Sequence, residues 1–184
     1  SGNLAVTERI SMPTILITGA SGGLAQEMVK LLPNDQLILL GRNKEKLAQL
    51  YGNHPHAELM EIDITDDSAL ETLVADLYLR YGKIDVLINN AGYGILEEFD
   101  QISDQDIHQM FEVNTFALMN LSRRFASRMK ESRKGHIINI VSMAGLIATA
   151  KSSLYSATKF AAFGFFKCLT PRTDALWSLC DNSQ

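Results

Sequence analysis

Five short apolar runs, each followed by a stretch with helical spacing, constrain this chain more than any other feature. "TILITGA", "QLILLG", "AELMEIDIT", "IDVLINNAG" and "HIINIVS" read as strands, rich in Ile, Leu and Val and closed by turn or polar residues. Between them, "LAQEMVKLL" carries apolar residues at helical spacing and is stopped by Pro33, and "NKEKLAQLY" is a short polar helix. "DDSALETLVADLYLRYG" opens on acid and Ser residues and closes at Gly82, as helix caps do. Residues 103–135 form one long helical pattern, again ended by glycine. Near-continuous apolar strands are buried on both faces. Strands that alternate with helices therefore predict a parallel sheet covered on both sides. Right-handed crossovers make it a doubly wound, Rossmann-like α/β fold. Ligands of such a sheet bind beyond the carboxyl ends of its strands.

Composition narrows the class. A length of 184 residues at 46% hydrophobic content suits one domain with a real core. The net charge of −4, with Lys and Arg scattered, gives no basic stripe for nucleic acid. No apolar run is long enough to cross a bilayer, so no membrane partner is expected. Residues 1–11 read as a leader or tag remnant, with Met12 as the natural start. Cys168 and Cys180 form no disulfide framework, and a cytoplasmic location is the default expectation. His54, His56, His108 and His136 lack metal-ligand spacing, so they read as surface residues and no metal site is expected.

"TGASGGLA" lies where the first strand meets the first helix. Gly19 lets the chain turn sharply, while Gly22 and Gly23 remove side chains where a phosphate must approach backbone. The free N–H groups of the helix start, from about Gly23, then face an anion. Ala25 is small enough for close helix–strand packing. Gly19, Ser21, Gly22, Gly23 and Leu24 are thus candidate dinucleotide contacts; the plain alternative is an ordinary tight turn. At the end of the second strand an NAD site wants an acid for the ribose hydroxyl. Here the chain reads "LLGRN", with no carboxylate before Glu45. Arg42 stands where a 2′-phosphate would lie, and its planar guanidinium suits phosphate. NADP is favoured over NAD, against the alternative of a solvated arginine.

With these features in order, the chain resembles the classical short-chain dehydrogenase/reductase (SDR) family from Thr14 to about Phe165. The family's glycine motif matches Thr18, Gly19 and Gly23, with Ala25 in the last place. "NNAG" at Asn89–Gly92, Asn114 in "VNT", Ser142 after the fifth strand, and Tyr155 with Lys159 all match in order. The interval from Ser142 to Tyr155 is 13 residues, the family's usual spacing. The resemblance implies that Asp63 and Ile64 border the adenine, and that Asn90, Ala91 and Gly92 line the cofactor. It also implies that the Asn114 carbonyl holds a water linking Lys159 to solvent, and that the protein is a homo-oligomer built on its long helices.

The residues carry a chemistry of their own. Tyr155 and Lys159 are four apart on a helix and share a face. A free phenol titrates near ~10 and a free amine near ~10.4, so tyrosine is a poor base at neutrality. A neighbouring ammonium stabilises phenolate and lowers that value, which tunes the phenol for proton transfer. Ser142 ends a strand on the ligand side and can donate to the same substrate oxygen. The implied reaction is hydride transfer between NADP(H) and a small carbonyl or alcohol, with Asn114, Ser142, Tyr155 and Lys159 as the catalytic set and Tyr155 and Lys159 also touching cofactor. The alternative is a non-catalytic dinucleotide-binding or sensing protein, or a truncated inactive form.

The family continues through a sixth strand, a substrate-covering loop and a seventh strand. Here residues 166–184, ending "FKCLTPRTDALWSLCDNSQ", show no strand pattern and carry both cysteines and Trp177. Permitted codons read one base out of frame from Phe165–Phe166 can yield "FSNALRLELMPYGVYVTTVN", which looks like the family's helix end and sixth strand. A frameshifted tail is therefore expected, leaving the fifth strand as a bare edge.

Overall fold

The computed structural model describes residues 12–141, 150–168 and 176–181. Six strands form one sheet in the order β3-β2-β1-β4-β5-β6, every pair parallel. They are β1 (Thr14–Ile17), β2 (Gln36–Gly41), β3 (Ala57–Glu61), β4 (Val86–Asn89), β5 (His136–Val141) and β6 (Leu176–Asp181). The helices are α1 (Gly23–Lys30), α2 (Lys44–Tyr51), α3 (Asp67–Tyr81), α4 (Asp104–Phe111), α5 (Ala117–Ser132) and α6 (Ser153–Cys168). The strand order reverses between β1 and β4, and a crevice opens beyond the carboxyl ends at that switch point. This is the doubly wound, Rossmann-like fold expected from the sequence.

Strand periodicity divides the core in two. Leu16, Ile38, Leu40, Leu87 and Ile137 face α3, α5 and α6, where they bury Leu70, Leu77, Phe125 and Phe166. Ile15, Ile17, Leu37, Leu39 and Ile88 face α1 and α2, against Ala25, Val29 and Leu47. Helix ends follow the residues that mark them. Asn43, Asp66 and Ser103 cap α2, α3 and α4, their side chains accepting from Lys46, Ala69 and Asp106 N–H; each such cap is worth about 1 kcal/mol. Gly82 ends α3 at φ 75°, a left-handed turn that glycine adopts without strain.

Two features differ from the sequence expectation. The long helix is not continuous: Glu112–Phe116 forms a π turn between α4 and α5. Such a turn holds one residue more than the helical repeat, and these turns gather at functional sites. The C-terminal stretch, expected to show no strand, supplies β6, which pairs with β5 from His136↔Leu176 to Val141↔Asp181. The unpaired N–H and C=O groups of the β5 edge are a template for any extended segment, and that tertiary demand outweighs weak local pattern.

Asn89 and Asn139 are register partners, both buried. Asn89 Nδ2 donates to Ser122 Oγ at 2.9 Å. Asn89 Oδ1 and Asn139 Nδ2 have no partner among the described residues. Ser122 is therefore the anchor of a sparsely satisfied amide pair. Ser122→Ala is expected to cost about 1–3 kcal/mol, read as a lower urea midpoint with an unchanged slope.

Candidate active site

The turn after β1 and the loop after β4 are tied together. Thr18 Oγ1 accepts from the backbone N–H of Asn90 and of Ala91, both at 3.0 Å. Asn90 Nδ2 donates to the Gly19 carbonyl at 3.2 Å. Gly19 sits at φ 61°, and a Cβ there would stand 2.7 Å from Ala91 Cα. Only glycine fits, because the position is left-handed and the neighbouring backbone is in contact.

A cleft of about 520 Å³ opens above these two loops. Gly19, Ser21, Gly22, Gly23, Leu24, Arg42, Asp63, Ile64, Asn90, Ala91 and Gly92 all line it. The sequence-derived dinucleotide contacts outside α6 thus come together in one place. Helix α1 begins at this cleft with Gly22 as its N-cap and no side chain bonded to its first turn. The side-chain caps of α2, α3 and α4 make that contrast informative. Unsatisfied N–H groups at a helix start favour an anion. A Cβ added at Gly23 would meet nothing within 4 Å, so the approach is open.

Arg42, Asn43 and Lys46 form one end of the cleft. Asp63 Oδ1 accepts from Thr65 Oγ1 at 2.7 Å and from Thr65 N–H at 2.9 Å. The Thr65 hydroxyl bond, then the backbone bond, hold its carboxyl below the ordinary 3.8, with Arg42 adding a smaller attraction.

A second cavity of about 430 Å³ adjoins the first and shares Leu24, Asn90, Gly92 and Tyr93 with it. Tyr155 and Lys159 line it from α6. Lys159 Nζ lies 5.7 Å from the Tyr155 ring centroid. Lys159 is only 8% exposed, and burial pushes its pKa below the ordinary 10.5. Ser142 lies outside the described residues.

Asn114 is fully buried in the π turn. Its Nδ2 donates to the Tyr93 carbonyl at 2.8 Å and to Thr158 Oγ1 at 3.1 Å, and its Oδ1 accepts from Tyr93 N–H at 3.0 Å. One side chain thus clasps the loop after β4 onto α6. Thr115 Oγ1 adds a bond to the Thr158 carbonyl at 3.0 Å. Two glycines let the loop lie close. A Cβ at Gly92 would stand 3.1 Å from both Asn114 Oδ1 and Lys159 Nζ, and one at Gly94 would stand 3.0 Å from Tyr155 Cδ2.

Sequence reasoning missed four of these residues. Lys46 stands four residues after Arg42, in the first turn of α2, which could have suggested a second cation. Gly94 repeats the glycine of "NNAG" two residues on, at the spacing that returns a backbone to one face. Tyr93 and Thr158 left no signal, because their contacts depend on the π turn. His108 and His136 are exposed, while His54 and His56 are half-buried, their rings 6.4 Å apart. No group of three His, Cys, Asp or Glu that could hold a metal occurs among the described residues. No helix among them is long and apolar enough to cross a membrane.

A parallel sheet in this order, with an open glycine turn at its switch point, defines the dinucleotide-binding class of α/β protein. A family model described as short chain dehydrogenase matches residues 13–174, and the chain belongs to that family of oxidoreductases. It is 32% identical over 169 residues to an uncharacterised oxidoreductase of Schizosaccharomyces pombe, covering 90% of this chain and 57% of that protein. It is 30% identical over 155 residues to a 3-ketodihydrosphingosine reductase of Bacteroides thetaiotaomicron, covering 84% of this chain and 56% of that protein. The chain thus spans little more than half the length of these relatives. The crystal structure of a metagenomic short-chain oxidoreductase in complex with NADP superposes with a TM-score of 0.86 at 26% identity, covering 94% of this chain and 82% of that one.

Two stability predictions follow from this geometry. Asn114→Ala removes three bonds from the clasp and should lower stability by about 1–3 kcal/mol, with faster amide exchange at Tyr93 than in the parent. Lys159 carries a charge that burial disfavours, so its native pKa lies below its unfolded one. The native state is then penalised at neutral pH, and the penalty fades as pH rises through the lowered native pKa towards 10.5. Lys159→Met should therefore raise the urea midpoint at pH 7, with the gain shrinking in alkali; a gain that grows with pH would contradict this.

Proposed function

We propose that the protein is an NADP(H)-dependent oxidoreductase acting on a small carbonyl or alcohol. One observation carries the reading. The chamber holding Tyr155 and Lys159 shares Leu24, Asn90, Gly92 and Tyr93 with the cleft that holds the glycine turn. A dinucleotide fits that cleft, because α1 offers an N-terminus without a side-chain cap and the space at Gly23 is open. Gly19, Ser21, Gly22, Gly23 and Leu24 would hold the pyrophosphate, and Asp63 and Ile64 the adenine. Arg42, with Lys46 beside it, would take the 2′-phosphate, since guanidinium matches phosphate geometry. Asn90, Ala91 and Gly92 would line the path toward the nicotinamide. When bound, NADPH supplies the hydride.

The chain's own groups handle the proton and the substrate oxygen. Tyr155 holds that oxygen and gives it a proton in reduction, or takes one in oxidation. Lys159 keeps positive charge beside the phenol, which favours phenolate. Ser142 supplies a second donor to the same oxygen. Asn114 fixes the loop that bounds both cavities. Exposed Phe116 and Phe160, on the π turn and α6, favour association of copies through these helices.

Two measurements test the reading. Tyr155→Phe should cut NADPH oxidation over a carbonyl panel by ~10²-fold or more while leaving NADPH affinity unchanged; near-normal turnover would refute the role of the phenol. In fluorescence titrations the parent should bind NADPH more tightly than NADH. Arg42→Ala should weaken NADPH by roughly 10- to 100-fold, the equivalent of about 1.5–3 kcal/mol, and leave NADH unaffected. Equal losses for both would remove the basis for NADP preference.

A further inference from the structure

The chamber beside Tyr155 is unequal in its chemistry. Leu24, Gly94, Leu96 and Ile140 form its apolar wall. Leu24 is 39% exposed and Leu96 70% exposed, a large apolar surface turned to an open cavity. Among the described lining residues Lys159 is the only charged group. Its Nζ lies beside the Tyr155 ring and Gly92. Glu97 and Glu98 follow Leu96 on the same loop, and Lys151 stands 4.0 Å from Glu98. The Lys151 carbonyl accepts from Glu97 N–H at 3.0 Å, which ties this acidic stretch to the residues entering α6.

We propose that the substrate is an uncharged ketone or secondary alcohol whose non-reacting arm is apolar and packs on Leu24, Leu96 and Ile140. This rests on the oxidoreductase reading above and narrows it to a substrate class. An apolar arm covers Leu24 and Leu96 and gains their burial. A carboxylate or phosphate on that arm loses its water to the apolar side chains of Leu24, Leu96 and Ile140, close in sequence to the carboxylates of Glu97 and Glu98. The redox balance is that of carbonyl reduction: carbon gains a hydride, oxygen gains the Tyr155 proton, and NADPH becomes NADP⁺.

The test uses two ketones of equal chain length, 2-nonanone and 8-oxononanoate, with the whole chain and NADPH. The neutral ketone should show kcat/KM at least ~10-fold higher. Leu96→Lys, a change at an exposed position, should narrow that ratio by about threefold or more through KM. Equal or faster reduction of the oxo acid by the parent would overturn the proposal, and so would a ratio unmoved by Leu96→Lys. Calorimetric binding of both ketones to the chain saturated with NADP⁺ separates this proposal from the reading beneath it. Tighter binding of 2-nonanone without turnover of either probe upholds the chamber and overturns the oxidoreductase reading. Equal binding, or no binding of 2-nonanone, overturns the chamber.

Discussion

Asn114 holds the backbone of Tyr93 at both its N–H and its carbonyl, and reaches Thr158 with the same amide. The rest of the site depends on that clasp. It fixes the loop after β4 against α6, and so sets Gly92 beside Lys159 and Gly94 beside Tyr155. Through Asn90 and Ala91 the same loop is tied to Thr18 and Gly19 in the turn after β1. Tyr155, Lys159 and the glycine turn therefore share one rigid connection. An amide with a donor and an acceptor side suits the task, since it satisfies a part-buried backbone N–H and carbonyl that lie outside any strand or helix.

The same region collects most of the chain's departures from local rules. A helix starts without a side-chain cap, a lysine is nearly buried, and a π turn interrupts a long helix. Elsewhere the caps at Asn43, Asp66, Ser103 and Gly82 follow the usual residue preferences. Such conflicts gather where function sets the geometry, at some cost in stability.

The legible parts of the sequence were those with local causes. "QLILLG" is β2 from end to end, and Gly82 stops α3, because apolar runs and left-handed glycines act within a few residues. The glycine turn was legible because a left-handed residue in contact with neighbouring backbone must be glycine, and Arg42 lines the same cleft. Asn114 was singled out for its place in "VNT", but the water-holding carbonyl implied for it carried no hint of the side-chain clasp. That clasp needs the π turn, which adds one residue to a helical repeat and leaves no trace in a pattern read at 3.6 per turn. Strand β6 escaped for a related reason. The open edge of β5 recruits it, and its own residues do not announce a strand.

The two loops are held as one unit by Thr18 and Asn90, so a dinucleotide that touches either must quiet both. Amide hydrogen exchange along the chain, with and without saturating NADPH, reads this directly. Slowed exchange is expected together at residues 19–24 and 90–94, with a third protected stretch at 42–46. Protection that spares 90–94, or none at all with cofactor bound, would contradict a nucleotide seated between the glycine turn and the loop after β4.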